Sequence, residues 1–111
     1  MKIYIAGKIT GDPRYKEKFK EVEQALTNKG IIALTPAVLP EGMEPGDYMR
    51  ICFAMIDAAD KVWFLQDYID SKGAQLELAY CEYINKPYNF IKIFGKFKLA
   101  KLKNKKEKND D

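Results

Sequence analysis

Residues 61–77 read KVWFLQDYIDSKGAQLE. The first six, Lys61–Gln66, are nearly apolar throughout, the pattern of a strand buried on both faces in a parallel sheet covered by helices. Asp67–Ser71 reads as a polar loop. Ser71 is placed to cap a helix, Gly73 keeps its first turn open, and Leu76, Ala79, Tyr80 and Tyr83 recur at helical spacing as its expected buried stripe. Asn85–Pro87 breaks that helix, and Tyr88–Ile93 follows as another strand.

Upstream, the same alternation repeats. Lys2–Ala6 (KIYIA) is β-rich and ends at Gly7, and Gly7–Pro13 is a turn-rich loop. Tyr15, Phe19, Val22 and Leu26 mark one face of a helix that Gly30 stops. Ile31–Leu34 is a short strand. Thr35–Gly46 holds three prolines and two glycines, which predicts a long loop able to act as a lid. Asp47 is expected to cap a second helix with Met49, Cys52, Phe53 and Ile56 on one face. The order β-α-β-α-β-α-β with short connections predicts an α/β fold. Its form is a flavodoxin/Rossmann-like three-layer sandwich with a sheet of four or five mainly parallel strands and right-handed crossovers. Ligands of such sheets bind at the carboxyl ends of the strands near the switch point, which directs attention to the loops after the first and third strands.

Composition narrows the chemistry. The 111 residues contain no histidine and two cysteines. Ser-His-Asp and Cys-His catalysis and histidine-ligated zinc are excluded, and two thiols are too few for a disulfide framework or a four-thiolate metal site. No metal or cofactor is expected. The net charge of +3 divides unevenly, because residues 96–111 hold seven lysines and three acids. Residues 1–95 are nearly neutral and are expected to form the single domain. Residues 96–111 read as a basic, disordered tail. A neutral body lacks the basic surplus of a nucleic-acid-binding domain, so the tail alone offers an RNA-contacting reading. No segment approaches a membrane span and no leader is visible, so a cytoplasmic protein is expected.

Two loops carry the candidate site. Gly7-Lys8-Ile9-Thr10-Gly11 is a glycine-bounded turn whose backbone amides suit an anion, or which simply turns the chain. It is neither a Walker loop nor a dinucleotide fingerprint. In the second, the helix after Ser71 presents free N–H groups, with Glu77 about one turn inside. A glutamate there is a dipole-stabilised surface residue or, kept ionised by the same field, a nucleophile.

Three segments together resemble the nucleoside 2-deoxyribosyltransferase-like superfamily, especially its small, often phage-encoded members. They are KIYIAGKITG at the start, AMIDAAD before KVWFLQ, and DSKGAQLELAY, and the resemblance spans residues 2 to about 93. The superfamily's 2′-deoxynucleoside 5′-phosphate N-hydrolases carry Gly-x-Ile-x-Gly, matched by Gly7, Ile9 and Gly11. They also carry Ser-x-Gly followed four residues later by the nucleophilic glutamate, matched by Ser71, Gly73 and Glu77. An aromatic early in the first strand is matched by Tyr4.

The resemblance implies retaining chemistry at an N-glycosidic bond. Glu77 attacks the anomeric carbon, and water or a second base completes hydrolysis or exchange. A 5′-phosphate would sit on the amides of the first loop, Lys8 included, and of Ser71–Gly73. Serine at 71, where the nucleoside transferases tend to have aspartate, favours a phosphorylated substrate. One departure concerns the second helix. Where the hydrolases place an aspartate this chain has Cys52, whose neighbours Phe53 and Ile56 give it a packing role. The proton donor to the leaving base is then Asp70 or Asp67, or there is none and the protein is a nucleotide-binding or nucleotide-sequestering module. The resemblance also implies a homodimer or higher homo-oligomer.

Overall fold

The structure, a computed structural model, describes residues 1–95 and 98–102. Its elements are β1 (Lys2–Ala6), α1 (Tyr15–Thr27), β2 (Ile32–Leu34), α2 (Pro45–Ala58), β3 (Lys61–Leu65), α3 (Lys72–Ile84), β4 (Tyr88–Gly95) and β5 (Lys98–Leu102). Short 3-10 turns lie at Pro36–Val38 and Gln66–Asp70. The five strands form one sheet in the order β2-β1-β3-β4-β5, with β5 antiparallel and the rest parallel. This is the flavodoxin-like order, in which the chain reverses its winding direction between β1 and β3.

The period-2 alternation of the strands divides the core into two layers. Ile3, Ile5, Trp63 and Leu65 face α1 and pack on Phe19, Val22 and Leu26. Tyr4, Ala6, Val62 and Phe64 face the other way, onto Cys52 and Ile56 of α2 and Cys81 of α3. Val62, Phe64 and Leu65 are at most 1% exposed, as the unbroken apolar run of β3 requires. One polar atom is left over: the buried Trp63 indole N–H has no hydrogen-bond partner among the described residues.

Several local expectations are corrected. Asp47 does not stand outside α2 as its cap. The helix starts at Pro45, where a missing N–H is harmless, and Asp47 lies in its first turn, accepting the Glu44 N–H at 3.3 Å. The buried stripe of α3 runs through Ala74, Glu77 and Cys81, whereas Leu76 (54% exposed), Ala79 and Tyr83 (89%) face outward. The physical reason is that small residues and a carboxylate face Tyr4, while Leu78 and Tyr80 pack at the flank of the same core and Leu76 and Tyr83 are left outside. Residues 98–102, expected within the disordered tail, pair with β4 as an edge strand. The rest of the tail, 96–97 and 103–111, lies outside the described residues.

The long loop is shorter than expected and is tied down. Tyr48 on α2 donates its hydroxyl to the Pro40 carbonyl at 2.6 Å and accepts the Met43 N–H at 3.3 Å. Glu41 at the loop's tip meets the Lys16 ammonium of α1 at 3.1 Å. Tyr48 thus holds the loop in place.

Candidate active site

The strongest polar feature of the core lies between β1 and α3. Tyr4 points from β1 to the α2/α3 side, and its hydroxyl donates to Glu77 Oε2 at 2.8 Å. Tyr4 is fully buried and Glu77 is 5% exposed. Cys52 of α2 completes the group, its thiol interacting with both Tyr4 and Glu77. Three residues separated by dozens of positions in the chain therefore converge because β1 is central and both helices cover the same face.

Burial decides the charge of this cluster. Desolvation raises the Glu77 carboxyl from its ordinary 4.5 to about 7, and the hydrogen bonds from Tyr4 and Cys52 only partly oppose it. That rise corresponds to about 3 kcal/mol, against roughly 0.3–1 kcal/mol available from a helix end. Glu77 is also the sixth residue of α3, beyond the turn where the dipole acts. The expectation that the helix field keeps it ionised is corrected accordingly: burial outweighs that field and moves the carboxyl up toward neutrality. Burial and the neighbouring carboxyl hold the Tyr4 hydroxyl well above its ordinary range. Burial likewise pushes the Cys52 thiol up to about 12, so both remain neutral hydrogen-bonding groups.

The two candidate loops follow β1 and β3, the first at Gly7–Gly11 and the second leading into α3. Ser71 caps α3, accepting the Ala74 N–H on its hydroxyl at 3.1 Å. The amides of Lys72 and Gly73 lie at the first two positions of the helix, where no intrahelical acceptor exists. Gly73 sits beside Met49 of α2, with room for ordinary contact.

The first loop is differently arranged. A Cβ on Gly7 would stand 3.1 Å from Leu65 Cδ1 and 3.2 Å from Asp67 Oδ1, so a side chain there would crowd the junction of β1 and β3. Gly11 turns the chain with φ of +85°. The Lys8 N–H donates to Asp67 Oδ1 at 3.0 Å, which takes that amide away from any ligand in this arrangement. Ile9 packs against the α1-side core.

Other polar and aromatic groups lie apart from the Tyr4–Glu77 cluster. Asp70 is exposed on the turn before α3. Asp57 accepts the Tyr80 hydroxyl at 2.7 Å, and Arg50 pairs with Asp47 at 2.9 Å, both outside the Tyr4–Glu77 cluster. Trp63 lies on the opposite side of the sheet. Sequence reading missed the ion-pair role of Lys18, which joins Asp12 at 2.7 Å and also pairs with Asp67; a lysine on a solvated helix carries no signal of that kind. Among the described residues there is no cluster able to hold a metal ion and no helix long and apolar enough to cross a membrane.

Comparison with known proteins bears on the fold. The fold is similar to the solved structure of a 2-deoxyribosyltransferase from the psychrotolerant bacterium Bacillus psychrosaccharolyticus. The TM-score is 0.64 at 23% identity, over 86% of this chain and 77% of that one. The likeness establishes a nucleoside 2-deoxyribosyltransferase-like fold. No curated protein matches the chain. A family model described as a domain of unknown function matches residues 1–90, and the chain belongs to that family, DUF4406.

Proposed function

We propose that the chain acts on the N-glycosidic bond of a nucleoside or nucleoside 5′-monophosphate, by hydrolysis or base exchange, with Glu77 as nucleophile. The observation that carries this reading is the buried Tyr4–Glu77 hydrogen bond of 2.8 Å, on the sheet face where α3 begins at a Ser-x-Gly turn. In the reaction, a Glu77 carboxylate oxygen bonds to the anomeric carbon as the C–N bond breaks and its electron pair leaves with the base. Water or a second base then displaces the ester and returns the carboxylate. Tyr4 holds one carboxylate oxygen so that the other faces the substrate. Asp70, exposed at the entrance, is the proposed proton donor to the leaving base. The α3 amides at Lys72 and Gly73 receive a phosphate where the substrate has one.

A second reading has its own support. Cys52, beside Glu77, is a neutral thiol where the resemblance calls for an acid, which fits a module that binds nucleotides without cleaving them. Incubation with a panel of deoxynucleosides and their 5′-monophosphates separates the two. The enzyme reading expects free base from the wild type and a loss of at least about a thousandfold in Glu77→Ala. No base from either, with both melting higher in the presence of ligand, leaves only the binding reading. Cytoplasmic residence fits the two buried free thiols, and a homo-oligomer fits the outward apolar side chains of α3.

A further inference from the structure

Three charged groups outside the Tyr4–Glu77 cluster meet where β1 and β3 end. The Lys18 ammonium reaches back from α1 and donates to the Lys8 carbonyl at 2.7 Å and to Asp12 Oδ2 at 2.7 Å. Its third acceptor is Asp67 Oδ2. An ammonium has three donors, and all three are used. The other oxygen of Asp67 accepts the Lys8 N–H at 3.0 Å. The peptide groups of Lys8 are thereby held on both sides, its carbonyl by Lys18 and its N–H by Asp67. Gly7 makes this possible, since a side chain there would stand 3.2 Å from the same Asp67 oxygen.

A backbone N–H beside a lysine ammonium at a glycine turn is the donor set that a phosphoryl or other oxyanion seeks. Here a side chain of the protein itself fills it. The cluster has two carboxylates to one ammonium, and all three side chains are partly buried, at 18–29% exposure, so solvent screens them only in part.

We propose that the Asp67 carboxylate, fixed by Lys18, occupies the anion position of the first loop and bars phosphoryl groups from it, so that this loop receives the uncharged, hydroxyl-bearing part of the ligand. Asp67 is then a specificity-determining residue and Lys18 its positioning residue. Applied to nucleosides the inference rests on the function proposed above, but the self-occupied anion position itself does not. Any phosphate the substrate carries must lie at the start of α3 instead.

Two measurements test it. The first needs no nucleoside: inorganic phosphate is titrated into the protein and the Lys8 amide resonance is followed. The wild type shows no saturable shift, whereas Asp67→Ala, with the amide and the ammonium released, does. A saturable Lys8 shift in the wild type, or none in Asp67→Ala, overturns the proposal. Asp67→Asn, which removes the charge and keeps the shape, replaces it should the alanine variant not fold. The second compares 2′-deoxyadenosine with its 5′-monophosphate by calorimetry on Glu77→Gln, which removes turnover. Adding Asp67→Asn moves the ratio of dissociation constants toward the monophosphate by about tenfold or more, the scale of one like-charge contact. Adding Lys18→Met instead, which leaves the two carboxylates without their ammonium, moves it the other way, and Lys18→Arg restores it. A ratio that Asp67→Asn does not move toward the monophosphate overturns the proposal. Absence of binding by both ligands counts against the nucleoside function alone, and the phosphate titration still decides.

Discussion

A glutamate on the inward face of a helix must be tolerated by the core around it, and Glu77 is tolerated only in part. Its carboxyl titrates near 7 because burial outweighs the hydrogen bonds from Tyr4 and Cys52. The folded protein therefore holds the proton at pH values where the unfolded chain has already released it. The sign follows from linkage. The group costs nothing below its unfolded value of 4.5, costs progressively more between 4.5 and about 7, and reaches a plateau of about 3 kcal/mol above that. Glu77→Gln, which keeps the hydrogen bond without the charge, is expected to be more stable than wild type at pH 8 by up to that amount and equal to it at pH 4. Denaturant melts at the two pH values check this. For the proposed reaction the ionised form of Glu77 is the active one, so the Glu77 limb of the kcat/KM profile rises with pH through about 7. Tyr4→Phe removes a bond that favours the carboxylate. It should move that rise to higher pH and lower kcat/KM at neutrality by about ten- to a hundredfold, the scale of a hydrogen bond to a charged group. A pH–rate profile on both proteins is the check.

The elements were legible in the sequence to different depths. β3 announced itself as an unbroken apolar run, and α1 as a clean stripe of Phe19, Val22 and Leu26. The inward side of α3 was misread because periodicity counts apolar residues and is blind to a carboxylate placed inward for a purpose. Leu76 and Tyr83 match the helical period as well as Ala74 and Cys81 do, and only the position of Tyr4 on β1 selects between the two stripes. The pairing of Glu77 with Tyr4 spans 73 residues, a separation that local patterns cannot resolve. β5 was hidden because a lysine-rich stretch reads as solvated, while an edge strand accepts lysines readily. The β1–β3 junction depends on one absent side chain. Gly7→Ala puts a methyl 3.1 Å from Leu65 and 3.2 Å from Asp67 and should cost about 1–3 kcal/mol, as overpacking does. A thermal melt measures this, and Gly30→Ala is no substitute control, since its φ of +78° makes it strained for a different reason.

At the scale of the whole molecule, the outward surface of α3 is the feature out of place in a small single-sheet protein. Ile69, Leu76 and Tyr83 are exposed by 54–89%, on and just before the helix that also carries Glu77. A second copy covering this surface would bury it and stiffen the mouth of the site together. Sedimentation of the wild type is expected to give a dimer or larger species, and Leu76→Asp with Tyr83→Lys a monomer. A wild type that is already monomeric at micromolar concentration would set this aside. On the other side of the sheet, the chain's single tryptophan packs with Ile3, Ile5, Phe19 and Leu65, and its indole N–H has no partner among the described residues. An indole in such surroundings emits at short wavelength and shifts to the red once water reaches it. Trp63 is thus a built-in fluorescent gauge of the α1 layer, whose emission reports the opening of that layer.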